Sequence, residues 1–146
     1  MIGILVVTHG RLASELVTAA EMIVGEIPNV TAVSIGWHDD PDEAQEEIRN
    51  AIERVEGDQG TVVLTDMFGG TPSNLSLAFL EKDRVEVITG VNLPMLIKLV
   101  SLREGEQVDL GAVAQEISAQ GKESIYLASD LLAAKKEKNP EEKPGG

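Results

Sequence analysis

Residues 2–7, IGILVV, form an unbroken apolar run rich in β-branched side chains, and residues 8–10, THG, follow at once. Such a run, short and apolar at every position, reads as a strand buried on both faces, the kind found inside a parallel sheet. Parallel neighbours need helical crossovers, so the chain on either side should alternate between strand and helix.

The rest of the sequence fits that expectation. Leu12, Leu16, Ala19 and Ile23 recur at spacings of four, three and four, which predicts a helix with one apolar stripe, ended by Gly25. Residues 30–35, VTAVSI, read as a second strand. Asp40 as cap, Pro41 at the first helical position and Glu43 in a capping-box place predict a second helix. Its stripe is Ala44, Ile48, Ala51 or Ile52, and Val55, and Gly57 closes it. Residues 61–65, TVVLT, read as a third strand. Thr71 and Pro72 open a third helix with Leu75, Ala78 and Phe79 inward. Residues 84–89 read as a fourth strand. The segment LPMLIKLV, 93–100, is a helix apolar nearly all round, and so buried in the monomer or in an interface. Leu110, Val113, Ala114 and Ile117 mark a further helix stopped by Gly121, and residues 124–128, SIYLA, read as a short final strand. From residue 135 the chain is charged and rich in Pro and Gly, with no apolar anchor, so residues 135–146 are expected to be a disordered tail. The expected organisation is one domain, 1–134, plus that tail.

Alternating strands and helices imply a doubly wound α/β fold: a mostly parallel central sheet, order near 2-1-3-4 plus the short final strand, with helices on both faces. Ligands of such sheets bind beyond the carboxyl ends of the strands where strand order reverses. In this order the first and third strands flank that point. The site then consists of Thr8-His9-Gly10 and Asp66-Met67-Phe68-Gly69-Gly70-Thr71.

Composition narrows the chemistry. There is no cysteine among the 146 residues, which excludes disulfides and thiolates. Two histidines without cysteine are too few for a zinc centre, so no metal is expected. A net charge of −13 disfavours nucleic acid and anionic lipid. Aromatic residues are scarce, which argues against base stacking or a flavin. The N-terminus lacks signal-peptide features and no apolar run is long enough to span a bilayer, so a cytoplasmic protein is expected. There is no G-x-x-x-x-G-K-[ST] and no GxGxxG after the first strand. The acidic run Asp39, Asp40, Asp42 reads as a helix start, and His38 beside Trp37 as a loop residue at the rim.

Two loops then carry chemistry. Neighbouring strands lie about 4.8 Å apart, so Asp66 can reach His9. A carboxylate on one imidazole nitrogen fixes the tautomer and leaves the other as a nucleophile. Gly69-Gly70-Thr71-Pro72 leads into a helix N-terminus, where free N–H groups favour an anion. The Thr71 and Ser73 hydroxyls add donors. None of these elements is specific alone, and their shared place at the switch point is what points to phosphoryl chemistry.

At these residues the chain resembles the IIA domain of the mannose class of the bacterial sugar phosphotransferase system. The resemblance runs from Met1 to about Leu132, on ILVVTHG, LTDMFGGTPSNL and GVNLPMLIKL. It implies that His9 is phosphorylated by the carrier protein HPr, that Asp66 is its carboxylate partner, and that the group passes to a IIB protein for sugar uptake. Gly69, Gly70, Thr71 and Ser73 would bind the phosphoryl group. Phe68, Gly10 and Arg11 would face the partner proteins. Some members carry phenylalanine where this chain has Ser73. The resemblance implies a homodimer, with GVNLPMLIKLV contributing to a buried or dimeric surface. It implies no cofactor, and contact with a membrane only through a IIC/IID permease. Two other readings stay open on sequence: a regulatory or dihydroxyacetone-kinase phosphotransfer subunit, and a flavodoxin-like small-molecule binding module.

Overall fold

The computed structural model describes residues 1–37, 39–105 and 108–138. Its elements run β1 (Gly3–His9), α1 (Leu12–Val24), β2 (Val30–Ile35), α2 (Pro41–Val55), β3 (Thr61–Thr65), α3 (Thr71–Leu77), β4 (Val85–Thr89), α4 (Leu93–Leu102), α5 (Leu110–Glu123) and α6 (Ala128–Lys138). The four strands form one parallel sheet in the order β2-β1-β3-β4. This is the doubly wound α/β fold expected from the sequence.

β1 is interior because alternate residues feed two separate cores. Ile4 and Val6 point to one face, where Val62, Leu64 and Ile88 join them under α1, α4 and α5. Leu5 and Val7 point to the other, where they meet Val33, Val63 and the α2 stripe. The stripe expected on α2 is buried at Ala44, Ile48 and Val55, and both Ala51 and Ile52, given as alternatives, are buried with it. Asp40 caps that helix by accepting the Asp42 N–H at 3.0 Å, a bond worth about 1 kcal/mol.

The structure corrects several local expectations. α1 buries Ala13 and Ala20, with Leu16 and Val17 half-buried, whereas Leu12 and Ile23 are exposed. Two alanines let the helix lie close on the sheet, so the covered stripe is turned by about one residue. The cap of α3 is Gly70 rather than Thr71. Leu75 and Phe79 pack half-buried on the core as expected, Pro72, Ser73 and Ser76 are the fully buried positions, and Ala78 is exposed. Gly121 does not end α5 but lies within it, where a Cβ would stand 2.5 Å from Cγ and Sδ of Met95. It is a close-approach glycine, and its carbonyl accepts from Asn92 Nδ2 at 3.0 Å.

The final strand expected over residues 124–128 is not formed. Residues 125–127 have no regular secondary structure, and α6 begins at Ala128. An apolar, β-branched segment forms a strand only where it pairs with a sheet edge, and this one does not join the sheet. Residues 135–138 are helical; the remainder of the expected tail, 139–146, lies outside the described residues. The apolar girth of α4 is largely absorbed within the chain: Met95, Leu96 and Leu99 are buried, and Leu93, Ile97 and Val100 pack half-buried on the same core. Among the described residues no helix is long and apolar enough to cross a membrane.

Candidate functional site

The register of the sheet builds the site. Val7 pairs with Thr65 across β1 and β3, so the residues that follow, His9 and Asp66, leave the sheet side by side. Asp66 Oδ2 accepts the backbone N–H of His9 at 3.0 Å and lies 2.7 Å from its Nδ1. Oδ1 of the same carboxylate accepts the Met67 N–H at 3.1 Å. The imidazole is half exposed, while the Asp66 side chain is only 14% exposed. Burial pushes the Asp66 carboxyl upward. The His9 backbone N–H, the His9 ring and its charge outweigh that, and the net result lies below the ordinary carboxylate value.

With Nδ1 bound to the carboxylate, that nitrogen carries the proton and Nε2 carries the free lone pair. Nε2 faces the loop after β3. A Cβ placed on Gly70 would stand 2.7 Å from His9 Cε1 and 3.3 Å from Nε2, so only glycine leaves room there. Gly69 holds φ +86°, a backbone state glycine adopts freely. The first hydrogen bond of α3 runs from Asn74 N–H to the Gly70 carbonyl. The N–H groups of Gly70 and Thr71 precede that first bond and have no helical acceptor, whereas Ser73 is wholly buried and presents no donor to the cleft. Those of Gly70 and Thr71 are open donors beside Nε2.

The Ser73 hydroxyl departs from expectation. Its side chain is fully buried under α3, where Oγ meets no partner among the described residues. The expected hydroxyl donor is thus withdrawn from the cleft, and Ser73 is buried as a whole residue. Thr71 is exposed and lines the cleft with His9 and Gly10. Gly10 (φ +56°) donates its N–H to the Ile35 carbonyl at 3.0 Å, and Arg11 beside it is exposed. Thr8 is buried and turned into the fold, where Oγ1 accepts the Ala13 N–H at 2.7 Å and so secures the start of α1. Phe68 is exposed on the β3–α3 loop.

One wall of the site was not anticipated. The cleft, about 640 Å³, is closed on its far side by Ile35, Gly36, Trp37, Asp39, Pro41 and Ala44 from β2, α2 and the loop between them. The signal was present: in a 2-1-3-4 sheet the end of β2 adjoins the end of β1, so the β2–α2 loop must border His9. His38 lies outside the described residues. No cluster of three or more His, Cys, Asp or Glu side chains that could hold a metal occurs among the described residues.

A histidine nucleophile, an orienting carboxylate and open backbone donors are what transfer of a phosphoryl group requires. The family model for the PTS system fructose IIA component matches residues 3–118. The fructose-specific EIIA component of Bacillus subtilis is 31% identical over 140 residues, covering 95% of this chain and 94% of that protein. The mannose-specific EIIAB component of Escherichia coli is 31% identical over 127 residues, 85% of this chain but 39% of that protein. Among solved structures, the PTS IIA protein associated with the fucose utilization operon of Streptococcus pneumoniae superposes with a TM-score of 0.79 at 31% identity, covering 89% of this chain and 95% of that one. The chain belongs to the mannose-class IIA components of the sugar phosphotransferase system.

Proposed function

We propose that this protein accepts a phosphoryl group on Nε2 of His9 from the phosphohistidine of HPr and passes it to a histidine of a IIB protein for sugar uptake. The observation that carries this reading is the 2.7 Å contact between Nδ1 of His9 and Asp66, which leaves Nε2 free at the mouth of a cleft.

The Nε2 lone pair attacks phosphorus in line. The phosphorus–nitrogen bond of the donor breaks, and the donor imidazole keeps that electron pair. A new phosphorus–Nε2 bond forms, and His9 becomes a phosphoimidazolium with its proton still on Nδ1. The Asp66 carboxylate stabilises that cation. The N–H groups of Gly70 and Thr71 and the Thr71 hydroxyl receive the phosphoryl oxygens. Because the transition state is loose, positioning and donors supply the catalysis, and the chain needs no cofactor of its own. Transfer to IIB is the same step in reverse, from an open cleft that proteins of different shape can enter. Phe68, Gly10 and Arg11 border that opening and would contact both partners.

The test is to incubate the protein with phosphoenolpyruvate, enzyme I and HPr and to read its intact mass. An acid-labile, base-stable phosphate that is lost in His9→Ala is expected. Absence of the adduct while HPr is itself phosphorylated would refute the reading.

A cytoplasmic homodimer is part of the same proposal. Ile125, Tyr126, Leu127 and Leu132 are all well exposed at the end of the described chain, after α5. That apolar surface, rather than α4, is what a second copy would cover. Light scattering after size exclusion should give twice the chain mass, and a monomer would refute the dimer.

A further inference from the structure

We propose that Trp37 is the docking anchor for the phosphohistidine-bearing donor, and that the surface around it receives a basic face of that protein. The inference rests on the phosphocarrier reading and goes beyond it by naming the residue that recognises one partner.

Trp37 is the only tryptophan of the chain and is 101% exposed. Hydrogen bonds join Gly36 to Asp39 near it. Asp39 Oδ2 accepts the Gly36 N–H at 2.6 Å, and the Asp39 N–H returns to the Gly36 carbonyl at 3.4 Å. Trp37 follows Gly36 directly and lies on the wall of the cleft that holds His9. An indole presents a large apolar area and one N–H donor, which is why tryptophan recurs among residues that dominate protein interfaces. On the opposite side of β1, the β3–α3 loop exposes Met67 and Phe68. His9 therefore lies between two apolar rims.

Charge selects the partner. No lysine or arginine occurs between Arg11 and Arg49, whereas Asp39, Asp40, Asp42 and Glu43 crowd the β2–α2 junction. The whole chain carries −13. A donor arrives with its phosphoryl group attached, so it brings anionic charge toward an acidic surface. Productive approach then requires basic side chains around its phosphohistidine, facing the acidic rim while an apolar patch covers the indole.

The lone tryptophan also supplies the readout. Unphosphorylated HPr from the same organism, in a tryptophan-free form, is titrated into the protein. The indole emission should shift to the blue and lose access to acrylamide. In steady-state phosphorylation, Trp37→Ala should raise KM for phospho-HPr about tenfold or more, with kcat within about twofold. KM should also rise with salt in the wild type. Trp37→Phe should restore much of the affinity. The thermal midpoint should not move, because the side chain is wholly in solvent. An unchanged KM for the donor, or a rise confined to the IIB acceptor, overturns the assignment. An emission spectrum unaffected at saturating HPr also overturns it. If the wild type takes no phosphoryl group at all, the phosphocarrier reading fails first, and that outcome is distinct from a wild type that reacts while Trp37→Ala reacts equally well.

Discussion

One oxygen of Asp66 holds His9 at two points: Oδ2 accepts the His9 main-chain N–H at 3.0 Å and lies 2.7 Å from its Nδ1. The bond to the main chain fixes where the residue leaves β1, and the bond to the ring fixes how the imidazole turns and which nitrogen is free. Two residues 57 positions apart in sequence thereby act as one group.

Asp66→Asn tests that coupling. The amide keeps an oxygen near His9 but loses the negative charge that stabilises the imidazolium. Phosphorylation of His9 should slow about 10–100-fold, with urea unfolding still cooperative. A rate equal to wild type in rapid-quench measurements would remove Asp66 from the mechanism.

Gly70→Ala tests the room beside Nε2. The added methyl would stand 2.7 Å from Cε1 of His9, and the ring or the loop must then shift. A displacement of about 1 Å at a reacting centre costs on the order of a hundredfold. Because the ring is half exposed, the fold should survive, and circular dichroism should match wild type. Unimpaired phosphoryl transfer would show that the phosphoryl group occupies another side of the imidazole.

The Asp66 carboxyl also predicts a pH dependence. Its folded value lies below that of the unfolded chain, about 3.9. Its contribution to stability is therefore fully present above about pH 4. It is lost as pH falls through the lowered folded value. The stability difference between wild type and Asp66→Asn should be largest at neutral pH and shrink in acid. Urea midpoints of both proteins at neutral and acidic pH would show it; a difference that grows toward acid contradicts the sign.

Arg103 supports the opposite end of the sheet. Its side chain is fully buried, and Nη1 donates to the carbonyls of Ile2 at 3.2 Å and Asn29 at 3.3 Å, while Nη2 donates to Pro28. Burial lowers its pKa from the ordinary arginine value, with Glu104 pulling the other way. Arg103→Leu leaves those carbonyls with fewer donors and should cost about 2–4 kcal/mol, read as a lower urea midpoint at constant slope. Phosphorylation of the folded fraction should be unaffected, since Ile2 precedes β1 and His9 ends it. Loss of transfer without loss of stability would reverse that assignment.

Sequence by itself determined what depends on near neighbours. The apolar runs at 30–35 and 61–65 are strands at those bounds, and Asp40-Pro41 starts α2 where a cap and a fixed φ require it. The alternation of elements implied a parallel doubly wound sheet, and the common 2-1-3-4 order of such sheets, which the structure has, brings His9 and Asp66 together. Tertiary structure decided whatever depends on which distant element covers a surface. Periodicity marks that α1 has an apolar side, but the sheet selects Ala13 and Ala20 for contact because small residues permit close approach. Ser73 and Ser76 read as polar, yet both are buried beneath α3. Gly121 reads as a stop, yet it is the residue against which Met95 packs. The segment 124–128 has strand-like composition, but a strand is made by a partner edge, which propensity alone does not supply. Trp37 joined the site for the same reason: nothing in its immediate sequence names His9, and only the parallel pairing of β1 with β2 sets the two loops side by side.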